Sequence, residues 1–127
     1  MNIKELNGTS FAFIGDAVYS VHVREYYVEK GYRQGKVLQK MCNRYVSAAG
    51  QTKVYERLNS ANFFTEDEQE IFKRGRNSIG HIPKNGCLQT YTVASGLEAI
   101  VGYLYLSNKE RLELMFQKVF EGGIENE

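Results

Sequence analysis

The chain has 127 residues, 43% hydrophobic and 24% charged, with a formal net charge of +1. This length suits one domain with its own core, and the composition excludes a disordered chain. No stretch reaches the roughly 18 uncharged apolar residues that a membrane span needs. The two cysteines, Cys42 and Cys87, match neither a zinc spacing nor a disulfide framework. We therefore expect a single cytoplasmic domain over residues 1–127, without contact to a membrane.

The first half of the chain carries two predicted helices. A single proline and long apolar runs at helical spacing predict an all-α domain. The polar segment 7–10 is typical of a helix cap, so a first helix should run from it to about Lys30, where Gly31 stops it. Apolar residues at helical spacing then predict one continuous helix from about Lys36 to Leu58.

The second half of the chain carries three more predicted helices. Thr65 and Glu68 form a capping-box pair that opens a short helix. An irregular segment, Gly75–Cys87, ends this helix and holds three glycines and the only proline. A long helix is predicted from about Leu88 to Ser107, and Asn108 starts the last one.

Charge is distributed unevenly along the chain. Acidic residues collect in the segment 66–70 and in the tail from about residue 121, which we expect to fray. By contrast, no acidic residue occurs from Ile71 to Leu97. The residues of this stretch that are basic or can become so are Lys73, Arg74, Arg76, His81 and Lys84. A local basic stretch suits a phosphate-bearing partner, and it equally suits a solvated loop.

Two stretches of predicted helix, residues 10–23 and 89–107, are apolar nearly all round and contain one acidic residue each. Asp16 is the only acidic residue of the first apolar stretch, and Glu98 is the only charged residue of the long helix. An ionised carboxylate in such a helix is costly unless it is paired, protonated or bound to a cation. The alternatives are a buried salt bridge, for example to Arg44 or Arg76, a neutral hydrogen-bonded acid, or a metal site.

The two carboxylates converge if their helices pack together, and small residues beside both acids would permit such a close approach. These residues are Gly15, Ala17, Gly96 and Ala99. Mg²⁺ prefers oxygen ligands and keeps several waters, so one or two carboxylates suffice to bind it. A bound Mg²⁺ activates water and stabilises the charge that develops on a phosphodiester.

Several segments resemble motifs of the ribonuclease III family. Phe13–Val18, with the sequence FIGDAV, resembles the signature helix of the family, and Leu97–Leu106 resembles its second acidic helix. The supporting segments are Asn43–Ala48, Arg74–Asn77, Pro83–Asn85 and Gln89–Tyr91. In their order and number, these segments are most similar to the short bacterial form of the family, which lacks a double-stranded-RNA-binding domain.

This resemblance implies an all-α ribonuclease III endonuclease fold and an obligate homodimer. It implies Mg²⁺-dependent hydrolysis of double-stranded RNA, with Mn²⁺ as a substitute, leaving 5′-phosphate and 3′-hydroxyl ends. Asp16 and Glu98 are then the catalytic, metal-binding acids. For the short form, the resemblance further implies maturation of the large-subunit (23S) ribosomal RNA precursor. A ribosomal protein that presents the RNA is a further candidate partner.

Without a separate RNA-binding domain, the catalytic domain must hold its duplex itself. The predicted RNA contacts are basic and amide side chains on or beside the irregular segment, where glycines allow close approach. These residues are Lys73, Arg74, Arg76, Asn77, Lys84 and Asn85. A structural role at a helix end is the alternative for Arg76 and Asn77. Arg44 has two candidate partners, a phosphate or a carboxylate.

Two positions depart from the family pattern. The family places a Glu four residues before the signature Asp, where this chain has Ala12, and an Asp three residues before the second Glu, where it has Ser95. We interpret both as characters of the short form and expect weaker Mg²⁺ binding than at a four-carboxylate site. The alternative is a catalytically silent ribonuclease III-like domain that serves as a dimerisation or RNA-binding module.

Overall fold

Six α-helices and one short 3₁₀ helix make up the part of the chain that the computed structural model describes, residues 1–78 and 87–123. The helices are α1 (Gly8–Glu29), α2 (Gly35–Val46), α3 (Ala48–Ser60), α4 (Glu66–Asn77), α5 (Leu88–Ser107) and α6 (Lys109–Gly122), and the 3₁₀ helix is Ile3–Glu5. No strand occurs in these residues, so the predicted all-α class is confirmed.

Helix α1 has the predicted start and end. The side chain of Asn7 caps it by accepting a hydrogen bond from the backbone N–H of Ser10 at 2.9 Å. After the helix, Gly31 adopts a φ of +105°, a left-handed conformation that favours glycine and prevents the helix from continuing.

The predicted helix from Lys36 to Leu58 is wrong, because it is two helices. Ser47 separates α2 from α3 with an extended backbone, and its hydroxyl caps α3 by accepting from the N–H of Gly50 at 3.1 Å. A Cβ on Gly50 would overlap the carbonyl oxygen of Arg44. The glycine therefore lets the start of α3 fold tightly against the end of α2.

Helix α4 begins at the predicted capping box and ends later than predicted. Thr65 and Glu68 exchange both cap hydrogen bonds, and Glu68 also accepts from Arg111 of α6 at 2.8 Å. The helix continues to Asn77, so the first residues of the predicted irregular segment are helical. Residues 79–86 of that segment lie outside the described part of the chain.

Helices α1 and α5 are central, which explains why both sequences are apolar nearly all round. Helix α5 packs against α1, α3, α4 and α6, and α1 packs against α2, α4 and α5. The largest side chains that this packing buries are Tyr19, Tyr27, Tyr45, Phe11, Leu97 and Ile100. None of the described helices is long and apolar enough to cross a membrane. The two isolated carboxylates thus lie on the two helices at the centre of the fold.

Candidate active site

Helices α1 and α5 touch backbone to backbone where they cross. A Cβ on Gly15 would overlap the carbonyl oxygen of Glu98, and a Cβ on Gly102 would overlap that of Phe11. Because both glycines lack this atom, the helices approach more closely than side chains allow. The crossing places Asp16, the residue after Gly15, beside Glu98.

The predicted set of small residues is only partly correct. Gly15 lies at the α1–α5 crossing, but Gly96 packs against the Phe72 ring of α4, and Ala99 packs against Gly75, also of α4. Ala17 is exposed. Sequence reasoning missed Gly102, although its position four residues after Glu98, on the same face of α5, was a usable signal.

The carboxyl groups of Asp16 and Glu98 are close enough to share a hydrogen bond. Asp16 is exposed and Glu98 is half-buried. Burial, together with the hydrogen bond to Asp16 and its negative charge, raises the pKa of Glu98 from 4.5 to about 8. In the metal-free protein the Glu98 carboxyl is therefore mostly protonated at neutral pH.

Gln51 of α3 is a third member of the site, and sequence reasoning missed it. Its side chain is 2% exposed, and its Nε2 donates to Oε2 of Glu98 at 3.2 Å and to the carbonyl of Val46 at 3.4 Å. The Oε1 of the same amide is buried without a hydrogen-bond partner in the described residues. A usable signal was a glutamine at helical spacing with the apolar Val54 and Leu58.

The alternative of a salt bridge to Arg44 or Arg76 is not seen in the part of the chain that the structure describes. No lysine, arginine or histidine there lies within 4.0 Å of the carboxylates of Asp16 or Glu98. The Arg76 guanidinium lies over the Phe72 ring at 5.9 Å, and Nη1 of Arg44 is buried without a hydrogen-bond partner among the described residues. Within the described residues the pair therefore has no cationic protein partner, and this favours the metal site or the shared proton over a salt bridge.

The two positions that depart from the family pattern have structural roles. The hydroxyl of Ser95 is buried and donates to the carbonyl of Gly75 at 2.9 Å, joining α5 to α4. Ala12 packs against the apolar cluster around Phe11. No group of three or more His, Cys, Asp or Glu residues that could hold a metal occurs in the described residues. Within the described residues the site thus contains two carboxylates, those of Asp16 and Glu98.

Four of the six predicted RNA contacts lie on the last turns of α4. Lys73, Arg74, Arg76 and Asn77 are all exposed, and Lys73 forms an ion pair with Glu70 at 3.4 Å. The other two, Lys84 and Asn85, lie outside the described residues. Arg76 lines a groove of about 570 Å³ between α3, α4 and α5. The C-terminal end of α4 thus presents cationic side chains beside a groove. The RNA contacts predicted for Lys84 and Asn85 stay predictions.

An exposed apolar face adjoins Asp16 on α1. Its largest members, Phe13, Val21 and Tyr105, are 81%, 51% and 39% exposed. Between them, Ala17 and neighbouring residues line a depression of about 420 Å³. Contiguous exposed apolar surface of this kind is typical of a face that another protein covers.

Comparison with known proteins assigns the chain to a characterised group. A family model described as "Ribonuclease III domain" matches residues 9–109. The chain is 42% identical to Mini-ribonuclease 3 of Enterococcus faecalis over 112 residues, which is 87% of this chain and 85% of that protein. It is also 42% identical to Mini-ribonuclease 3 of Staphylococcus aureus over 120 residues, which is 93% of this chain and 90% of that protein.

The fold also matches a solved structure. A crystal structure of a protein from Fusobacterium nucleatum superposes with a TM-score of 0.82 at 32% sequence identity. The match covers 93% of this chain and 96% of the other. The resemblance and the all-helical fold predicted from the sequence are thus confirmed by comparisons of both sequence and structure.

Proposed function

The chain belongs to the ribonuclease III family, and we propose that Asp16 and Glu98 form the metal-binding centre with which it cleaves double-stranded RNA. The observation that carries this proposal is the contact between two isolated carboxylates where two apolar helices cross. The products are ends with a 5′-phosphate and a 3′-hydroxyl. The direct test incubates the protein with duplex RNA in Mg²⁺ or in EDTA, and only the Mg²⁺ reaction should yield cleavage.

The residues of the site fit a hard divalent cation. Asp16 and Glu98 supply carboxylate oxygens without a competing protein cation nearby in the described residues. We propose Mg²⁺, with Mn²⁺ as a substitute, held by these two residues. When bound, the ion supplies an activated water and stabilises charge on the scissile phosphodiester.

We propose that Gln51 orients the carboxylate of Glu98. Its Nε2 donates to Oε2 of Glu98, so the amide holds the ionised carboxylate in one direction. Its buried Oε1 is available to accept a hydrogen bond from a water at the site. With two carboxylates instead of four, the protein gives an ion fewer charges, and we expect Mg²⁺ to bind more weakly than in a full cluster.

The exposed apolar face formed by Phe13, Val21 and Tyr105 supports a homodimer. In a symmetric dimer this face covers its own copy, which places the two Asp16–Glu98 sites in one assembly. We propose that each site cuts one strand, and that Arg74 and Arg76 at the end of α4 contact the backbone of the duplex.

As natural substrate we propose the large-subunit (23S) ribosomal RNA precursor, which is what the resemblance to the short form implies. Mapping the cut on a precursor transcript tests this, with and without ribosomal proteins. Cleavage of generic duplexes but not of the precursor would remove this substrate and leave the enzymatic activity standing.

The second candidate is a catalytically silent domain that dimerises or binds RNA. Ala12 and Ser95, which replace two family acids, favour it. The retained Asp16–Glu98 contact and the amide that orients Glu98 oppose it. A protein that binds duplex RNA equally in Mg²⁺ and EDTA and never cuts it is the outcome that this candidate expects.

A further inference from the structure

A basic groove of about 710 Å³ runs between α1 and α2. Its polar lining consists of Arg24, Lys36, Lys40, Gln39, Asn43 and Ser20, beside the apolar Val28, Leu38, Cys42 and Val46, and no carboxylate of the described residues lines it. The three cations are exposed, and none of them has an ion-pair partner within the described residues. Unneutralised cations in a groove attract a polyanion.

The groove adjoins the carboxylate site. Asp16, Ser20 and Arg24 follow one another at intervals of four residues, so they lie along one face of α1. Eight residues of helix correspond to about 12 Å, which separates Arg24 from Asp16 along the helix axis. On α2, Lys36 and Lys40 are also four residues apart and so share a face of that helix. One wall of the groove therefore starts close to the carboxylate pair.

We propose that this groove binds the phosphate backbone of double-stranded RNA beside the scissile bond. This inference rests on the proposed function. One strand of B-form DNA carries about one negative charge per 3.4 Å of axis, and at a comparable spacing in an RNA duplex a separation of about 12 Å spans a few phosphates. Arg24, Lys36 and Lys40 supply charge for these phosphates, and the amides of Gln39 and Asn43 supply hydrogen bonds to phosphate or 2′-hydroxyl groups.

The opposite side of α1 supports this orientation of the duplex. There, a second groove of about 530 Å³ between α1 and α6 is lined by Glu25, Glu29, Glu110 and Glu113. An RNA backbone is repelled by this surface and attracted by the α1–α2 groove. The opposite charges on the two sides of α1 thus favour a bound duplex that extends from the carboxylate site along α2 and not along α6.

The experiment compares two double variants that remove the same charge. Lys36→Gln/Lys40→Gln removes two groove lysines, and Lys4→Gln/Lys118→Gln removes two exposed lysines outside the groove. Cleavage of a labelled duplex with Mg²⁺ gives kcat and KM at several salt concentrations, and anisotropy in EDTA gives the affinity for the same duplex without turnover.

For the groove variant we expect KM to rise about tenfold or more, with kcat nearly unchanged and the salt slope of log affinity reduced by about 2. The control variant should change each quantity much less. Equal changes of KM and affinity in the two variants would contradict RNA binding by the α1–α2 groove, while leaving the proposed activity intact. Failure of the unmodified protein to cleave the duplex would instead contradict the proposed function. The affinities measured in EDTA would still show whether the α1–α2 groove binds duplex RNA.

Discussion

The Nε2 atom of Gln51 lies 3.2 Å from Oε2 of Glu98, and this hydrogen bond joins α3 to the carboxylate pair between α1 and α5. The same Nε2 also reaches the carbonyl of Val46 at the end of α2. A 2% exposed amide that bridges three elements in this way fixes the direction of Glu98. The site is therefore built from an exposed acid, a half-buried acid and a buried amide.

Replacing Gln51 should weaken Mg²⁺ binding more than it lowers the stability of the fold. Gln51→Met keeps the size of the side chain and removes the donor to Glu98. We expect the Mg²⁺ concentration for half-maximal activity to rise about 10- to 100-fold, since partners that orient ligands contribute on this scale. Titration of activity with Mg²⁺ measures this, and Mn²⁺ binding followed by electron paramagnetic resonance measures it without turnover. Gln117→Met, on exposed α6 surface, is the control. An unchanged Mg²⁺ dependence in Gln51→Met would contradict the orienting role.

The raised pKa of Glu98 predicts a pH dependence of stability in the metal-free protein. The folded state binds the Glu98 proton more tightly than the unfolded state, because the pKa is about 8 when folded and about 4.5 ordinarily. The stabilisation is therefore complete below about pH 4.5 and is lost as the pH rises towards about 8. Urea unfolding in EDTA at pH 5 and pH 8 measures it. Glu98→Gln should lose less stability over this interval than the unmodified protein, and equal losses would rule out Glu98 as the source.

Gly15 is the position where an added methyl group should do most harm. Gly15→Ala pushes a Cβ into the carbonyl oxygen of Glu98 and must separate α1 from α5. Overpacking of this kind costs about 1–3 kcal/mol, and we expect a parallel loss of activity because the carboxylates move apart. In Gly35→Ala the new Cβ meets nothing within 4 Å, so this variant should unfold at the same or a slightly higher urea concentration. Equal stability of the two variants would show that the crossing is not tight.

The exposed apolar face predicts which substitution disrupts the dimer. Phe13→Gln removes an 81% exposed aromatic ring from this face, whereas Leu114→Gln removes a 40% exposed side chain from α6. Burying a Phe side chain contributes about 1.5–3 kcal/mol, so Phe13→Gln should weaken self-association about tenfold or more. Sedimentation velocity over a range of protein concentrations measures this. A monomeric unmodified protein, or an equal effect of both substitutions, would be incompatible with this interface.

Local sequence signals predicted much of the fold. Helix α5 has the predicted bounds, because a long apolar run ends at the polar pair Ser107 and Asn108. The division of the second predicted helix at Ser47 was missed, because helical spacing continues through the break. That break depends on a side-chain cap and on the close contact of Gly50 with Arg44, and neither is visible in the spacing.

The candidate site was predictable only in part. An isolated acid in an apolar helix is visible in a single sequence. The sequence therefore identified Asp16 and Glu98 and indicated that they could converge. Gln51 lies 47 residues from Glu98 in sequence, and only the packing of α3 against α5 brings them together. The α1–α2 groove was missed for the same reason, because its cations belong to two helices and form no charge run.

The most direct test of the account is the cleavage of duplex RNA by Asp16→Asn and Glu98→Gln, each compared with the unmodified protein in saturating Mg²⁺. Each substitution removes a carboxylate while keeping the size of the side chain and the fold. We predict that either variant loses about 100-fold or more of the cleavage rate, since each removes one of only two ligands that hold the ion. The variants should still form the dimer and bind the duplex. Full cleavage by either variant would contradict the assignment of the Asp16–Glu98 pair as the catalytic centre.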